Sequence, residues 1–130
     1  MKAWVSRFAP ALVIMAVIFL ASATPGSELP AFGIWDLAAK KGGHMLGYAL
    51  LAAAYYHALS RGRNTARAPL LIAFCLTVLY AATDEWHQSF VPGRSPSFQD
   101  ICIDAIGGLI GSALLHRHRM RHAKPSGGVC

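Results

Sequence analysis

Two stretches of this chain run without charge for about the length of a membrane crossing. Between Arg7 and Glu28 lie 20 uncharged residues, and between Lys41 and Arg61 lie 19. About 20 mostly apolar helical residues rise about 30 Å, the thickness of a bilayer's hydrocarbon core. Length alone predicts a transmembrane helix in each. Two further apolar runs are shorter, with 16 uncharged residues between Arg67 and Asp84 and 12 between Asp104 and Arg117. Each becomes long enough only by taking in polar residues at one end. The third helix must run to about His87 or Gln88 and include Asp84 and Glu85. The fourth must start near Ser97 or Phe98 and include Asp100 and Asp104. The pattern predicts an all-α, four-helix integral membrane bundle. Residues 1–28 carry the first helix. Residues 29–116 form a core with helices over about 41–60, 67–88 and 98–116. Residues 117–130 are a basic tail, fraying into disorder after about Arg121.

Composition agrees with burial in lipid. Charged residues make up 14% and hydrophobic residues 55%, where a soluble domain carries roughly 25% charged residues. The charges also give a direction. With the N-terminus inside and four crossings, Lys2, Arg7, Arg61, Arg63, Arg67, Arg117, Arg119, Arg121 and Lys124 all lie in cytoplasmic segments. These are 9 of the 12 basic residues. Lys40, Lys41 and Arg94 lie outside with all six acidic residues. The positive-inside rule therefore places both termini in the cytoplasm, in a multi-pass protein of the cell (cytoplasmic) membrane. It also accounts for the net charge of +6. The basic residues sit at helix ends rather than on one folded face, so a nucleic-acid partner is set aside. The lipid bilayer is the expected partner.

The first segment has a rival reading. Lys2 and Arg7, an apolar run and Ala21-Ser22-Ala23 resemble a secretory signal with an A-x-A cleavage site. The apolar run is longer than a signal's, which favours a retained helix. The cysteines form no disulfide framework. Cys75 and Cys102 fall in membrane segments as small packing residues, and Cys130 ends the chain.

Residues 84–104 read DEWHQSFVPGRSPSFQDICID and hold four of the six acidic residues. A membrane protein that gathers ionisable groups at one level usually has a use for them there. Helical spacing sorts them. Lys41, His44 and Tyr48 share one face of the second helix. Tyr80, Asp84, His87 and Gln88 share one face of the third, and Glu85 points about 100° away. Asp100 and Asp104 share a stripe of the fourth with Gly107 and Gly111, a G-x-x-x-G that lets another helix approach closely. Pro92-Gly93-Arg94 makes a turn that would hold Arg94 above the helix ends. The expected geometry brings His44 within reach of Asp84, and Arg94 near Asp100 or Asp84. His57 lies near the opposite end without acidic company. Trp35 and Trp86 read as interfacial belt residues.

In order, these motifs are K-x-x-H-x-x-x-Y, D-E-x-H-Q-x-F-x-P-G-R and D-x-x-x-D-x-x-G-x-x-x-G. Together they resemble the VanZ-like family of small membrane proteins, named after a protein linked to teicoplanin resistance. The resemblance covers roughly Lys41 to Gly111. It implies a compact multi-helix membrane domain and brings no established reaction.

Three readings of the polar cluster follow. In the first, it binds or processes the phosphate-bearing head of a phospholipid or lipid-linked envelope intermediate, or affects glycopeptide susceptibility. Arg94 and Lys41 would grip phosphate. His44 or His87 would carry a proton, oriented by Asp84 or Glu85. Tyr48, Gln88, Asp100 and Asp104 would complete the binding surface. In the second, the acids and histidines hold a divalent cation, although no diagnostic ligand spacing is present. In the third, the cluster only locks the helices together, or the protein acts through a partner. The residues leave open whether the protein is an enzyme. They name no cofactor, metal or oligomeric state.

Overall fold

The structure, a computed structural model, describes residues 2–28, 35–60 and 67–122. Arg61, Arg63, Lys124 and Cys130 lie outside the described residues. Four helices follow one another: α1 (Lys2–Ala23), α2 (Asp36–Leu59), α3 (Ala68–Gln88) and α4 (Phe98–His122). A 3-10 turn covers Gly26–Glu28, and there is no strand among the described residues.

Local chemistry sets the helix ends that matter for the site. Proline stands in the first turn of α3, where its missing N–H costs nothing. Ser97 caps α4, its hydroxyl accepting the Gln99 N–H at 3.1 Å. The Glu85 carboxylate accepts the Ser97 N–H at 3.0 Å and ties the end of α3 to the start of α4. Between these helices Gly93 adopts φ +73°, a left-handed conformation that glycine enters without penalty. This turn touches the loop after α1, where the Gly26 N–H donates to the Pro92 carbonyl at 3.1 Å. A Cβ on Gly26 would lie 2.9 Å from the Gly93 carbonyl carbon. The two backbones therefore meet where neither has a side chain.

Side-chain contacts fix the directions. Lys41 pairs with Asp100, His44 with Asp104, and Tyr56 with His116. The partner number rises with the residue number, so α2 and α4 run parallel over most of their length. On α1, Met15 meets Tyr80 and Ser22 meets Asp84, so α1 and α3 are parallel too. Consecutive helices alternate in direction. The C-termini of α1 and α3 and the N-termini of α2 and α4 therefore gather at one end of the bundle.

The α2–α4 pair is the most extensive packing in the fold. Its closeness depends on glycine. A Cβ at Gly107 would stand 3.0 Å from the Met45 carbonyl carbon, and one at Gly111 would stand 2.7 Å from Ala49 Cα. The G-x-x-x-G stripe thus seats α4 directly on the backbone of α2.

Among the described residues, three helices are long and apolar enough to cross a membrane: Val5–Ala23, Ala68–Gln88 and Phe98–His122. Helix α2 is not among them, although its length alone predicted a crossing. Its position explains the difference. It packs against α1, α3 and α4, and Tyr48, Leu51, Ala52 and Tyr56 are fully buried. One face of α2 is buried in protein and carries tyrosines, while Leu46 and Leu50 on another face point outward. The other helices likewise turn Val13, Leu20, Leu71, Leu79 and Leu114 outward. Without headgroup water to cover them, such surfaces suit a bilayer.

Candidate functional site

The polar groups at the gathered helix ends divide between two surfaces. One faces α1. Asp84 is buried and its Oδ2 accepts the Ser22 hydroxyl at 2.7 Å and the Gln88 amide at 3.0 Å. Tyr80, on the same face, donates to the Met15 carbonyl at 2.7 Å. His87 stacks on Phe19 with ring centroids 4.6 Å apart. The face predicted for Tyr80, Asp84, His87 and Gln88 is real, and it packs against α1.

The other surface is a cavity of about 310 Å³ between α2, α3 and α4. Lys40, Lys41 and Arg94 contribute positive charge to it, and Glu85, Asp100 and Asp104 contribute acid. His44, Gln88 and the backbone of Gly26 and Gly93 complete much of the wall. Lys41 forms an ion pair with Asp100. His44 Nδ1 lies 3.6 Å from Asp104 Oδ2, longer than a hydrogen bond. Asp104 is 1% exposed, yet neither of its oxygens has a hydrogen-bond partner among the described residues. Asp84 Oδ1 and the Tyr48 hydroxyl are buried and unpartnered as well. Buried polar atoms are nearly always hydrogen-bonded; among the described residues Arg7 Nε and His87 Nε2, which do not line this cavity, lack a partner as well.

Two expected contacts are corrected. The partner of His44 is Asp104 rather than Asp84, because Asp84 turns toward Ser22. Arg94 pairs with neither Asp84 nor Asp100. It donates from Nη2 to the Ala21 carbonyl at 2.7 Å and from Nε to the Thr24 carbonyl at 3.2 Å. The last carbonyls of α1 have no partner within the helix and carry its negative end, which attracts a guanidinium. His87, offered as a proton carrier, is held on Phe19 and does not line the cavity. The acids are also dispersed over separate partners. Among the described residues no three His, Cys, Asp or Glu side chains come together to hold a metal.

The VanZ/LLP1 family model matches residues 8–119. The chain belongs to that family. The match extends well beyond Lys41–Gly111 and takes in α1. In this member of the VanZ/LLP1 family, α1 supplies Ser22 and the carbonyls that hold Arg94. No curated protein and no solved structure matches the chain.

Two site residues escaped the sequence reading. Ser22 was hidden inside the string that resembles a cleavage site, and nothing in its surroundings pointed to Asp84. Lys40 had a signal, because it stands four residues before His44 and so shares a helix face with it. At the opposite end of the bundle, His57 is not isolated. Arg119 Nη2 lies 2.7 Å from its Nδ1, and Arg119 also donates to the Ser60 hydroxyl.

Proposed function

We propose that this VanZ/LLP1 protein binds the phosphate-bearing head group of an envelope lipid in the cavity at the gathered helix ends. The observation that carries the reading is the company His44 keeps. Its imidazole lines one cavity of about 310 Å³ with Lys40, Lys41 and Arg94, large enough for a head group. Lys40, Lys41 and Arg94 are the cations of the cavity wall that would meet an anion. His44 is the residue suited to exchange a proton with a phosphate oxygen, with the Asp104 carboxylate 3.6 Å away to favour its charged form.

The cavity end lies at a membrane surface in this reading. Trp35, Trp86, Phe90 and Phe98 are all exposed around it, as aromatic residues are in an interfacial belt. In this reading the basic residues at the opposite end, Arg67, Arg117, Arg119 and Arg121, favour a cytoplasmic position for that end by the positive-inside rule, with the site at the outer leaflet of a multi-pass cell-membrane protein. Altered handling of such a lipid would change glycopeptide susceptibility, read as the teicoplanin inhibitory concentration with and without the protein.

A structural reading has its own support. Arg94 on the α1 carbonyls, Glu85 on the Ser97 N–H and Lys41 on Asp100 are all helix-end locks. They do not account for Lys40, Lys41, His44 and Arg94 lining one cavity together. Native mass spectrometry of the purified protein separates the two. The wild type should retain a phosphate-bearing lipid, and Lys40→Gln and His44→Gln should lose it while melting at the wild-type temperature. Equal retention by all three proteins, or no phosphate lipid on any, would refute the binding reading.

A further inference from the structure

A second cavity, also about 310 Å³, runs between α1 and α2. Its walls are apolar: Val17, Ile18 and Ala21 from α1, and Ala39, Gly43 and Gly47 from α2. Ala39, Gly43 and Gly47 stand four residues apart, so they form one stripe with almost no side-chain relief. Such a stripe commonly admits a packed helix. Here α1 closes only its lower part, where Ile18 lies 3.5 Å from a Cβ placed on Gly47. A Cβ on Gly43 would have nothing within 4 Å. The groove is therefore open at Gly43 and narrow at Gly47.

The groove is continuous with the polar cavity. Lys40, His44 and Arg94 line both. One molecule with a charged head and an apolar tail matches this pair of spaces. Its phosphate would lie among the cations and its tail would descend along α2. The groove mouth carries Lys40 and Arg94, which suit an anionic head; a helix from a second copy would bring no anion to that level.

Resting on the head-group reading above, we infer that the α1–α2 groove holds an acyl chain of the same lipid whose phosphate occupies the polar cavity. The lipid enters sideways from the bilayer between α1 and α2. The protein consequently discriminates between a long-chain phospholipid and its water-soluble head.

Gly43 makes the test clean, because a side chain there projects into open groove rather than into packed protein. Gly42 also has nothing within 4 Å of its Cβ but lines neither cavity, so it supplies the control. Binding of dioleoyl phosphatidate and of glycerol phosphate would be measured for the wild type, Gly43→Phe and Gly42→Phe in detergent. Gly43→Phe should weaken dioleoyl phosphatidate by about tenfold or more, the loss expected when two or three methylenes lose apolar contact. It should leave glycerol phosphate unchanged, and Gly42→Phe should leave both unchanged. Wild-type affinity of Gly43→Phe for the phosphatidate would overturn the groove assignment and leave the head-group reading standing. Loss of glycerol phosphate by Gly43→Phe would also overturn it, by placing the damage in the polar cavity. A change of oligomeric state in Gly43→Phe would give the groove to a second copy instead. Failure of the wild type to bind either compound would end both readings.

Discussion

Two glycines that look alike in sequence should respond oppositely to the same substitution. Gly111 sits against Ala49 of α2, where an added Cβ would stand 2.7 Å from Ala49 Cα and overlap its carbonyl. Non-bonded carbons settle at about 3.5–4.0 Å, so α4 would have to retreat by about 1 Å. The obstruction is backbone, which cannot rotate away as a side chain can. Overpacking costs about 1–3 kcal/mol, and a backbone clash belongs at the upper end, so Gly111→Ala should lose about 3 kcal/mol. Gly43 meets nothing within 4 Å. There the helix preference for alanine over glycine should act alone and stabilise Gly43→Ala by up to about 1 kcal/mol. The two variants should therefore differ by about 4 kcal/mol. Reversible unfolding of the detergent-solubilised protein by sodium dodecyl sulfate titration would measure the difference. If the two variants unfold within about 0.5 kcal/mol of each other, the close α2–α4 contact is not what holds the bundle, and the argument from Gly107 and Gly111 fails.

Arg94→Ala should lower stability by about 2 kcal/mol, near the low end for two charge-assisted bonds because one of them is exposed, and hydrogen exchange should rise selectively at the α1 carbonyl end. Unchanged exchange around Ala21–Thr24 would show that Arg94 does not anchor α1. A topology reporter within residues 26–38 should read external and one after Lys124 should read cytoplasmic. The reverse pattern would place the cavity on the cytoplasmic side and remove the outer-leaflet lipid as its ligand.

Much of the bundle was legible because the strongest constraints on it are local. Uninterrupted apolar runs give the helices, and the spacing of Lys41, His44 and Tyr48 against Asp100, Asp104, Gly107 and Gly111 gives the two faces that meet. Pairing across those faces was half legible. The i, i+4 acids clearly pointed to one side, but whether His44 met Asp84 or Asp104 depended on where α3 turned Asp84. That was settled by Ser22, on a helix 62 residues away. Arg94 was misplaced for a related reason. A sequence displays carboxylates as partners for arginine and hides backbone carbonyls, yet the open end of α1 is an equally good acceptor. The centrality of α2 was also hidden. Its charge-free length looks like that of α1, and only its tyrosines record that one of its faces is buried in protein.

The buried face of α2 bears on how the protein is made. Helices enter a membrane in the order of their synthesis, and α2 is the one whose own apolarity does least to hold it there. Its principal partner, α4, is translated last. Until α4 arrives, the face carrying Lys41, His44 and Tyr48 has no acids or glycine stripe to cover it. A nascent chain stopped before Phe98 should therefore be a substrate for membrane quality-control proteases, whereas the finished chain, with that face of α2 covered, should persist.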